Sequence, residues 1–224
     1  MFGLDDQIAT LGAGETFLII AVVAILLGLR HATDPDHLTA VSTLVAGDRA
    51  DARGAGRLGF AWGLGHATTL FVFGVPIVLY RSYVPEAVQT MAEALIGAVI
   101  VALAVRLLLR WRETRRGTSH LHAARSPLQA YGIGLVHGIG GSAGVGVLLL
   151  ASIPDHVEAV VALGLFASFT AVSMSLASTS FGWVMSRGAV QRSFASVAPA
   201  LGALSLAFGV WYALGAVQAV PYVF

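Results

Sequence analysis

The chain contains neither cysteine nor lysine, and only 11% of its 224 residues are charged. The lack of cysteine excludes disulfides, thiolate metal sites and cysteine nucleophiles. All 13 basic residues are arginine, which excludes a P-loop and Schiff-base chemistry. Ordinary soluble domains carry about 25% charged residues. A chain with 57% hydrophobic residues therefore indicates a membrane protein, and its net charge of +1 gives no indication of nucleic-acid binding.

Six apolar stretches are long enough to cross roughly 30 Å of hydrocarbon. The predicted fold class is therefore all-α: a polytopic membrane helix bundle of six transmembrane helices, in one domain over residues 1–224. The predicted spans are 16–45, 58–80, 87–110, 128–152, 157–185 and 194–217. Because charges interrupt the first span after Leu29, that span is either one kinked helix or two shorter segments.

The arginines predict the orientation of the spans. One side carries only Arg81, and the other carries ten arginines, at positions 49, 53, 57, 110, 112, 115, 116, 125, 187 and 192. The positive-inside rule places the ten in the cytoplasm and both termini outside a cell inner membrane. The predicted cytoplasmic loop, 111–127, contains His120 and His122, which either collect metal ions or belong to a solvated basic loop.

A short sequence echo links the first and fourth spans. Gly28-Leu-Arg-His31 matches Gly134-Leu-Val-His137 at a similar place in each three-span unit. Two units of three spans would run in opposite senses, which is the inverted-repeat plan of many secondary transporters. Gly and Leu are abundant in this chain, so a chance match is the alternative.

The first span holds five ionisable residues within eight positions: Arg30, His31, Asp34, Asp36 and His37. Ionisable side chains inside a membrane cost several kcal/mol each unless they are paired or hydrated, and by default they mark a function. Imidazole and carboxylate together suit Ni²⁺, Co²⁺, Zn²⁺ or Mn²⁺. The alternative is a kinked helix near the interface, with these residues as hydrated or capping groups.

Pro35 determines whether the two histidines of this segment can face one centre. In a straight helix, His31 and His37 would sit about 120° apart. Pro35 has no N–H to give to the carbonyl of His31, and it pushes Asp34 away from helical angles. The first helix is therefore predicted to be broken at Pro35, which would let both imidazoles turn inward and free a carbonyl nearby.

Two further histidines lie deep in other spans. With a rise of 1.5 Å per residue, His66 and His137 lie roughly 13 and 16 Å from the cytoplasm, near the level of His31. Three histidines at similar depths could converge on one site. The alternative for each is a hydrogen bond to a neighbouring helix, among small residues that let helices approach closely.

At these residues the chain resembles the nickel/cobalt transporter family, and it is most similar to the smaller, urease-accessory-like branch. The family hallmark, His, four residues, then Asp-His, stands here as His31-Ala-Thr-Asp34-Pro35-Asp36-His37. Leu64-Gly65-His66 resembles a second family motif, and residues 134–143 are similar to the smaller branch. The resemblance implies that His31, Asp36 and His37 are required for metal uptake and that His66 contributes. Aspartate motifs of the eight-span permeases are missing, which leaves metal preference and direction open.

The predicted function is transmembrane transport of a divalent transition-metal cation, nickel or cobalt ahead of zinc or manganese, by a secondary carrier that takes the ion up. The ion is cargo, and neither a catalytic residue nor a prosthetic group is predicted. Predicted partners are the ion and the bilayer, and a homo-oligomer stays open. The alternatives are an efflux permease, a metal-binding accessory protein and an intramembrane metallohydrolase. The predicted metal ligands are His31, Asp34, Asp36, His37, His66 and His137.

Overall fold

In the computed structural model, the structure describes residues 4–48, 51–80, 85–116, 126–138, 147, 150–188, 190 and 193–221. This part of the chain forms helices and short connections and contains no strand, in agreement with the predicted all-α class. Its seven helices are α1 (Leu4–His31), α2 (Pro35–Asp48), α3 (Ala52–Tyr80), α4 (Glu86–Arg116), α5 (Pro127–His137), α6 (His156–Ser186) and α7 (Phe194–Ala216).

The predicted break at Pro35 is confirmed. α1 ends at His31, α2 begins at Pro35, and the two segments are bent by 48°. Proline suits the first position of a helix, where its missing N–H would have had no partner. The carbonyl of Asp34 accepts the first bond of α2, from the N–H of Leu38 at 2.9 Å. The carbonyl of His31 is not free, because the N–H of Asp34 donates to it at 3.1 Å.

Four helices of the described chain are long and apolar enough to cross a membrane, and the bent pair of α1 and α2 makes a fifth candidate span. The predicted fourth span, 128–152, coincides with α5 at its start, and part of it lies outside the described residues. α4 continues to Arg116, so the predicted loop 111–127 begins later than expected. Arginines in the last turn favour this extension because they complement the helix dipole. His120 and His122 lie outside the described residues.

Two helix pairs, α3 with α6 and α4 with α7, make the most extensive contacts of the described chain. α3 packs along α6, and the close contact of Gly63 with Ala171 lets the two backbones approach. α1 lies against α6, and α5 lies against α3. α4 and α7 form a second pair, and α2 contacts both of them as well as α6. The break between α1 and α2, the middle of α3 and the end of α5 are thereby brought together.

Candidate metal centre

The six residues predicted as metal ligands lie in one buried region, between the end of α1, the start of α2, the middle of α3 and the end of α5. None is more than 6% exposed. Burial of this many polar side chains requires that they satisfy one another or bind something. The members and their exposed fractions are His31 (4%), Asp34 (6%), Asp36 (4%), His37 (1%), His66 (0%) and His137 (0%).

Asp36 links two of the histidines. Its Oδ1 accepts a hydrogen bond from Nδ1 of His37 at 3.1 Å, and its Oδ2 accepts one from Nε2 of His137 at 3.2 Å. An ionised carboxylate can only accept, so each imidazole carries its proton on the nitrogen that faces Asp36. The remaining lone pairs lie on Nε2 of His37 and Nδ1 of His137, and neither atom has a hydrogen-bond partner within the described residues.

His31 and His66 form a second linked pair. Nδ1 of His31 lies 3.4 Å from Oδ2 of Asp34, which assigns the proton of His31 to that nitrogen. Nε2 of His31 then accepts from Nε2 of His66, 3.0 Å away. The lone pair of His66 is left on Nδ1, again without a partner in the described part of the chain. Three imidazole lone pairs are thus buried and unpaired, and such groups are costly unless a bound species satisfies them.

The structure groups these donors into two sets that could each hold a metal ion. His31, His37 and His66 offer ligand atoms within 4.8 Å of one another, and so do Asp36, His37 and His137. Imidazole nitrogen with one carboxylate oxygen is a donor set that suits nickel, cobalt and zinc. The described residues therefore contain five of the six predicted ligands in these two sets.

Asp34, the sixth predicted ligand, belongs to neither set. Its Oδ1 lies 3.3 Å from Nη2 of Arg30, and its Oδ2 faces His31. A carboxylate that accepts the outer N–H of a ligating histidine fixes the ring's orientation and its tautomer. Asp34 is therefore placed to orient His31, and it differs from Asp36 in belonging to neither of the two sets.

A close crossing of α5 on α3 positions His66 and His137. A Cβ on Gly134 would collide with the carbonyl oxygen of Trp62, and a Cβ on Gly65 would collide with that of Tyr131. Each helix thus needs glycine where the other backbone passes. His137 follows Gly134 by three residues and His66 follows Gly65 directly, so the crossing determines how far apart the two rings lie.

A second glycine crossing places α1 on α6. A Cβ on Gly28 would lie 2.6 Å from the carbonyl oxygen of Phe166 and 3.0 Å from the backbone nitrogen of Thr170. Ser173 of α6 also bonds to α1 at this crossing, because its Oγ donates to the carbonyl of Gly28 at 2.9 Å. His31 follows Gly28 by three residues, which is the spacing of His137 from Gly134.

Two aromatic side chains that the sequence analysis missed form walls of the cluster. The ring of Trp62 lies 5.6 Å from that of His37 and 5.4 Å from that of His137, and the ring of Phe166 lies 5.7 Å from that of His31. Both side chains are buried. Trp62 precedes His66 by four residues, so helical spacing put it on the same face and could have indicated it.

The cavity that the structure forms elsewhere lies between α2, α6 and α7 and measures about 710 Å³. Its lining is mostly apolar, with hydroxyls from Thr39, Ser42, Ser180 and Ser205, and it includes none of the six candidate ligands. Two of these hydroxyls are bonded within α2, from Thr39 to the carbonyl of Pro35 and from Ser42 to that of Thr39. The candidate site is therefore the side-chain cluster and not this cavity.

The fold and the site define a multi-pass helical membrane protein with a buried histidine and aspartate cluster at a helix break. Residues 17–129, half of the chain, match the model of the NicO family, described as High-affinity nickel-transport protein. The chain belongs to this family of nickel and cobalt transporters, and the resemblance noted in the sequence is confirmed. Nickel and cobalt are thus the substrates that the family indicates for the chain.

Two relatives extend the likeness beyond the family model. The chain is 28% identical over 211 residues to "Urease accessory protein UreH" of Bacillus sp. (strain TB-90), covering 87% of this chain and 90% of that protein. It is 25% identical over 162 residues to "Putative nickel/cobalt efflux system MJ1092" of Methanocaldococcus jannaschii, covering 70% and 73%. No solved structure matches the chain.

Proposed function

We propose that the chain is a secondary carrier that takes up Ni²⁺ or Co²⁺ through the histidine and aspartate cluster. The observation that carries this proposal is the convergence of four imidazoles and one carboxylate in a buried place, with three imidazole lone pairs unpaired. His31, Asp36, His37, His66 and His137 bind the ion, and Asp34 orients His31. Ni²⁺ and Co²⁺ are proposed as the cargo ahead of Zn²⁺ and Mn²⁺, and no catalytic step is part of the cycle.

The membrane potential favours uptake over export. A divalent cation gains about 4.6 kcal/mol on moving inward across an inside-negative potential of 100 mV, twice the value for one charge. That energy can drive accumulation without an ATPase. Efflux is the second candidate, since one relative is named as a nickel/cobalt efflux system. A metal-binding accessory protein and an intramembrane metallohydrolase are the non-transporting alternatives.

We also propose that the chain has six spans in two inverted three-helix repeats, with both termini outside the cell inner membrane. The two glycine crossings support the repeat. In each crossing, the glycine of a Gly-Leu-x-His segment contacts a helix of the other unit, at backbone atoms of two residues that are four positions apart in that helix. The histidine of each segment is the last residue of its own helix and lies beside an aromatic ring. The arginine distribution supports the orientation.

Flux into proteoliposomes tests the proposed function. The purified chain is reconstituted around a metal-sensing dye, and Ni²⁺, Co²⁺, Zn²⁺ and Mn²⁺ are added outside under an inside-negative potassium diffusion potential. Ni²⁺ or Co²⁺ should enter, and His31→Ala and His37→Ala should abolish entry while still inserting. His156→Ala is the matched control because His156 is exposed at the start of α6, and it should transport normally.

Normal flux in both cluster variants would refute the site. Metal binding without flux in the wild-type chain would instead indicate an accessory protein. Efflux would appear as flux that is faster from loaded vesicles under the reversed potential, and as greater metal sensitivity of cells that lack the protein. Turnover of a peptide or lipid substrate by the purified chain would favour the hydrolase.

A further inference from the structure

We propose that the cluster consists of two overlapping metal stations that share His37, and that the ion passes from one to the other. The first station is His31, His37 and His66, and the second station is Asp36, His37 and His137. This inference rests on the proposed transport of a divalent metal and adds an internal transfer step to it.

The distances between ring centroids show that His37 is close to the histidines of both stations, whereas the other histidines of the two stations lie farther apart. The ring centroid of His37 lies 4.4 Å from that of His31, 5.1 Å from that of His66 and 4.4 Å from that of His137. The rings of His66 and His137 are 6.1 Å apart, the largest of these separations. Within the described residues, no three-ligand set joins His31 or His66 with His137.

Metal-to-nitrogen bonds of about 2.0–2.1 Å place two ligand atoms of one ion at most about 4.2 Å apart. Both stations, whose atoms lie within 4.8 Å, can close on an ion with small side-chain shifts. All five ligands cannot do so at once without drawing His66 and His137 together. The glycine crossing of α5 on α3 opposes that shift, because its backbones are already in close contact.

The two stations differ in charge and in the helices that supply them. The first station offers three neutral imidazoles, and the second offers the carboxylate of Asp36, which offsets part of the ion's charge away from water. His31 ends α1 and His137 ends α5, and these helices enter from opposite sides in the proposed topology. An ion arriving beside α1 would meet the first station, and an ion leaving beside α5 would leave from the second.

Because both stations include His37, the ion does not have to lose all of its protein ligands when it moves from one station to the other. His31 and His66 are exchanged for Asp36 and His137 one at a time while His37 stays a ligand, and at the second station His37 and His137 turn a lone pair in place of an N–H toward the ion. When the ion leaves the first station, the hydrogen bond between His31 and His66 re-forms. When it leaves the second, the bond from His137 to Asp36 re-forms. Each empty station is therefore stabilised by a contact that the structure contains.

The test combines Co²⁺ binding with flux. Co²⁺ is titrated into the purified chain, and its visible absorption is recorded for the wild type, His66→Ala, His137→Ala, His37→Ala and the double variant His66→Ala/His137→Ala, with His156→Ala as the control. We expect each of the single variants at 66 and 137 to keep one Co²⁺ with an altered spectrum and to lose flux. His37→Ala and the double variant should lose binding.

Two results would overturn the inference while leaving the proposed function intact. One is loss of binding in both His66→Ala and His137→Ala, which would mean a single site that needs all its ligands. The other is flux through either of those variants at the wild-type rate. If His37→Ala fails to fold, as judged by size-exclusion chromatography, the double variant supplies the same test. A wild-type chain with neither binding nor flux would refute the proposed function itself.

Discussion

Replacing Gly134 with alanine should move α5 off α3 and uncouple His137 from the cluster, although no ligand is changed. A Cβ at this position would lie 2.9 Å from the backbone nitrogen of His66 and 2.9 Å from the carbonyl carbon of Trp62, and closer still to that carbonyl's oxygen. These are backbone atoms of two fully buried residues of α3, so they cannot swing aside as a flexible side chain could.

The size of the displacement follows from those contacts. Ordinary van der Waals contact begins at 3.4 Å, so the two 2.9 Å contacts alone require a separation of about 0.5 Å, and the oxygen requires more. Binding constellations tolerate about 0.5 Å. A misplacement of 1 Å can cost a reacting group about 100-fold, so we expect the rate of metal uptake to fall at least about 10-fold. Overpacking should also lower the free energy of unfolding by about 1–3 kcal/mol.

Gly132→Ala is the matched control for this variant. Gly132 lies on the same helix two residues earlier, and a Cβ there meets nothing within 4 Å. It should leave uptake unchanged. The assay is the initial rate of Ni²⁺ or Co²⁺ entry into proteoliposomes at equal protein density, with thermal unfolding followed in parallel. Equal uptake rates in the two variants would refute the view that the crossing positions His137.

Three further substitutions test other parts of the site. Asp34→Asn should weaken Co²⁺ affinity by about 10- to 100-fold, as expected for a partner that orients a ligand, and Co²⁺ titration measures this loss. Asp36→Asn should lose uptake, which proteoliposome flux measures. The exposed Asp155→Asn is the control for both, and unchanged Co²⁺ affinity in Asp34→Asn or wild-type flux in Asp36→Asn would contradict the assignment. Pro35→Ala should let the helix continue past His31, turn the two histidines about 120° apart and abolish uptake, while Pro76→Ala in α3 should not; wild-type uptake by Pro35→Ala would show that the break is dispensable. Trp62→Phe should remove most of the tryptophan fluorescence change on Co²⁺ binding, and an unchanged signal would place the ion away from Trp62.

The helix break could be predicted because its cause is local. Pro35 removes one backbone donor four residues after His31 and disfavours helical angles at Asp34, and both effects act within the segment itself. Proline alone does not decide the outcome, since Pro76 and Pro199 lie inside α3 and α7. The many ionisable residues from Arg30 to His37 could also be assigned to a functional site from the sequence, since the free-energy cost of placing them in a membrane does not depend on which helices pack together. The structure agrees on both points: the helix ends at His31, and four of the five ionisable residues are buried, Arg30 being the exposed one.

The prediction that His66 and His137 converge rests on their similar depth in the membrane and not on any contact between their helices. Counting 1.5 Å per residue placed them near one level, but it could not indicate which helix faces which. That information lies in the glycine crossings, where Gly65 and Gly134 are informative only as a pair on two helices. The sequence indicates these glycines only as general packing positions, and their partners can be named only from the structure.

The roles of Asp34 and Trp62 could not be separated from the sequence for a related reason. Asp34 and Asp36 both lie beside Pro35, and nothing in their spacing tells which carboxylate faces His37 and His137 and which faces Arg30. Trp62 is one of four tryptophans in an apolar chain, where an aromatic residue is usually core. The contacts that separate these roles, from Asp34 to Arg30 and from Trp62 to the rings of His37 and His137, could be named only from the structure.

In the proposed repeat, the cluster forms where two corresponding helices end. His31 is the last residue of α1 and His137 the last of α5, and each is preceded by a glycine that sits on the opposite unit. A helix end is also where backbone groups lack partners, so irregular backbone and metal-ligating side chains are placed together at little extra cost. If the units are inverted repeats, the two helix ends arrive from opposite faces of the membrane and stop at one level. Among the histidines that the structure describes, His37 is then the only one within 4.4 Å, centroid to centroid, of both.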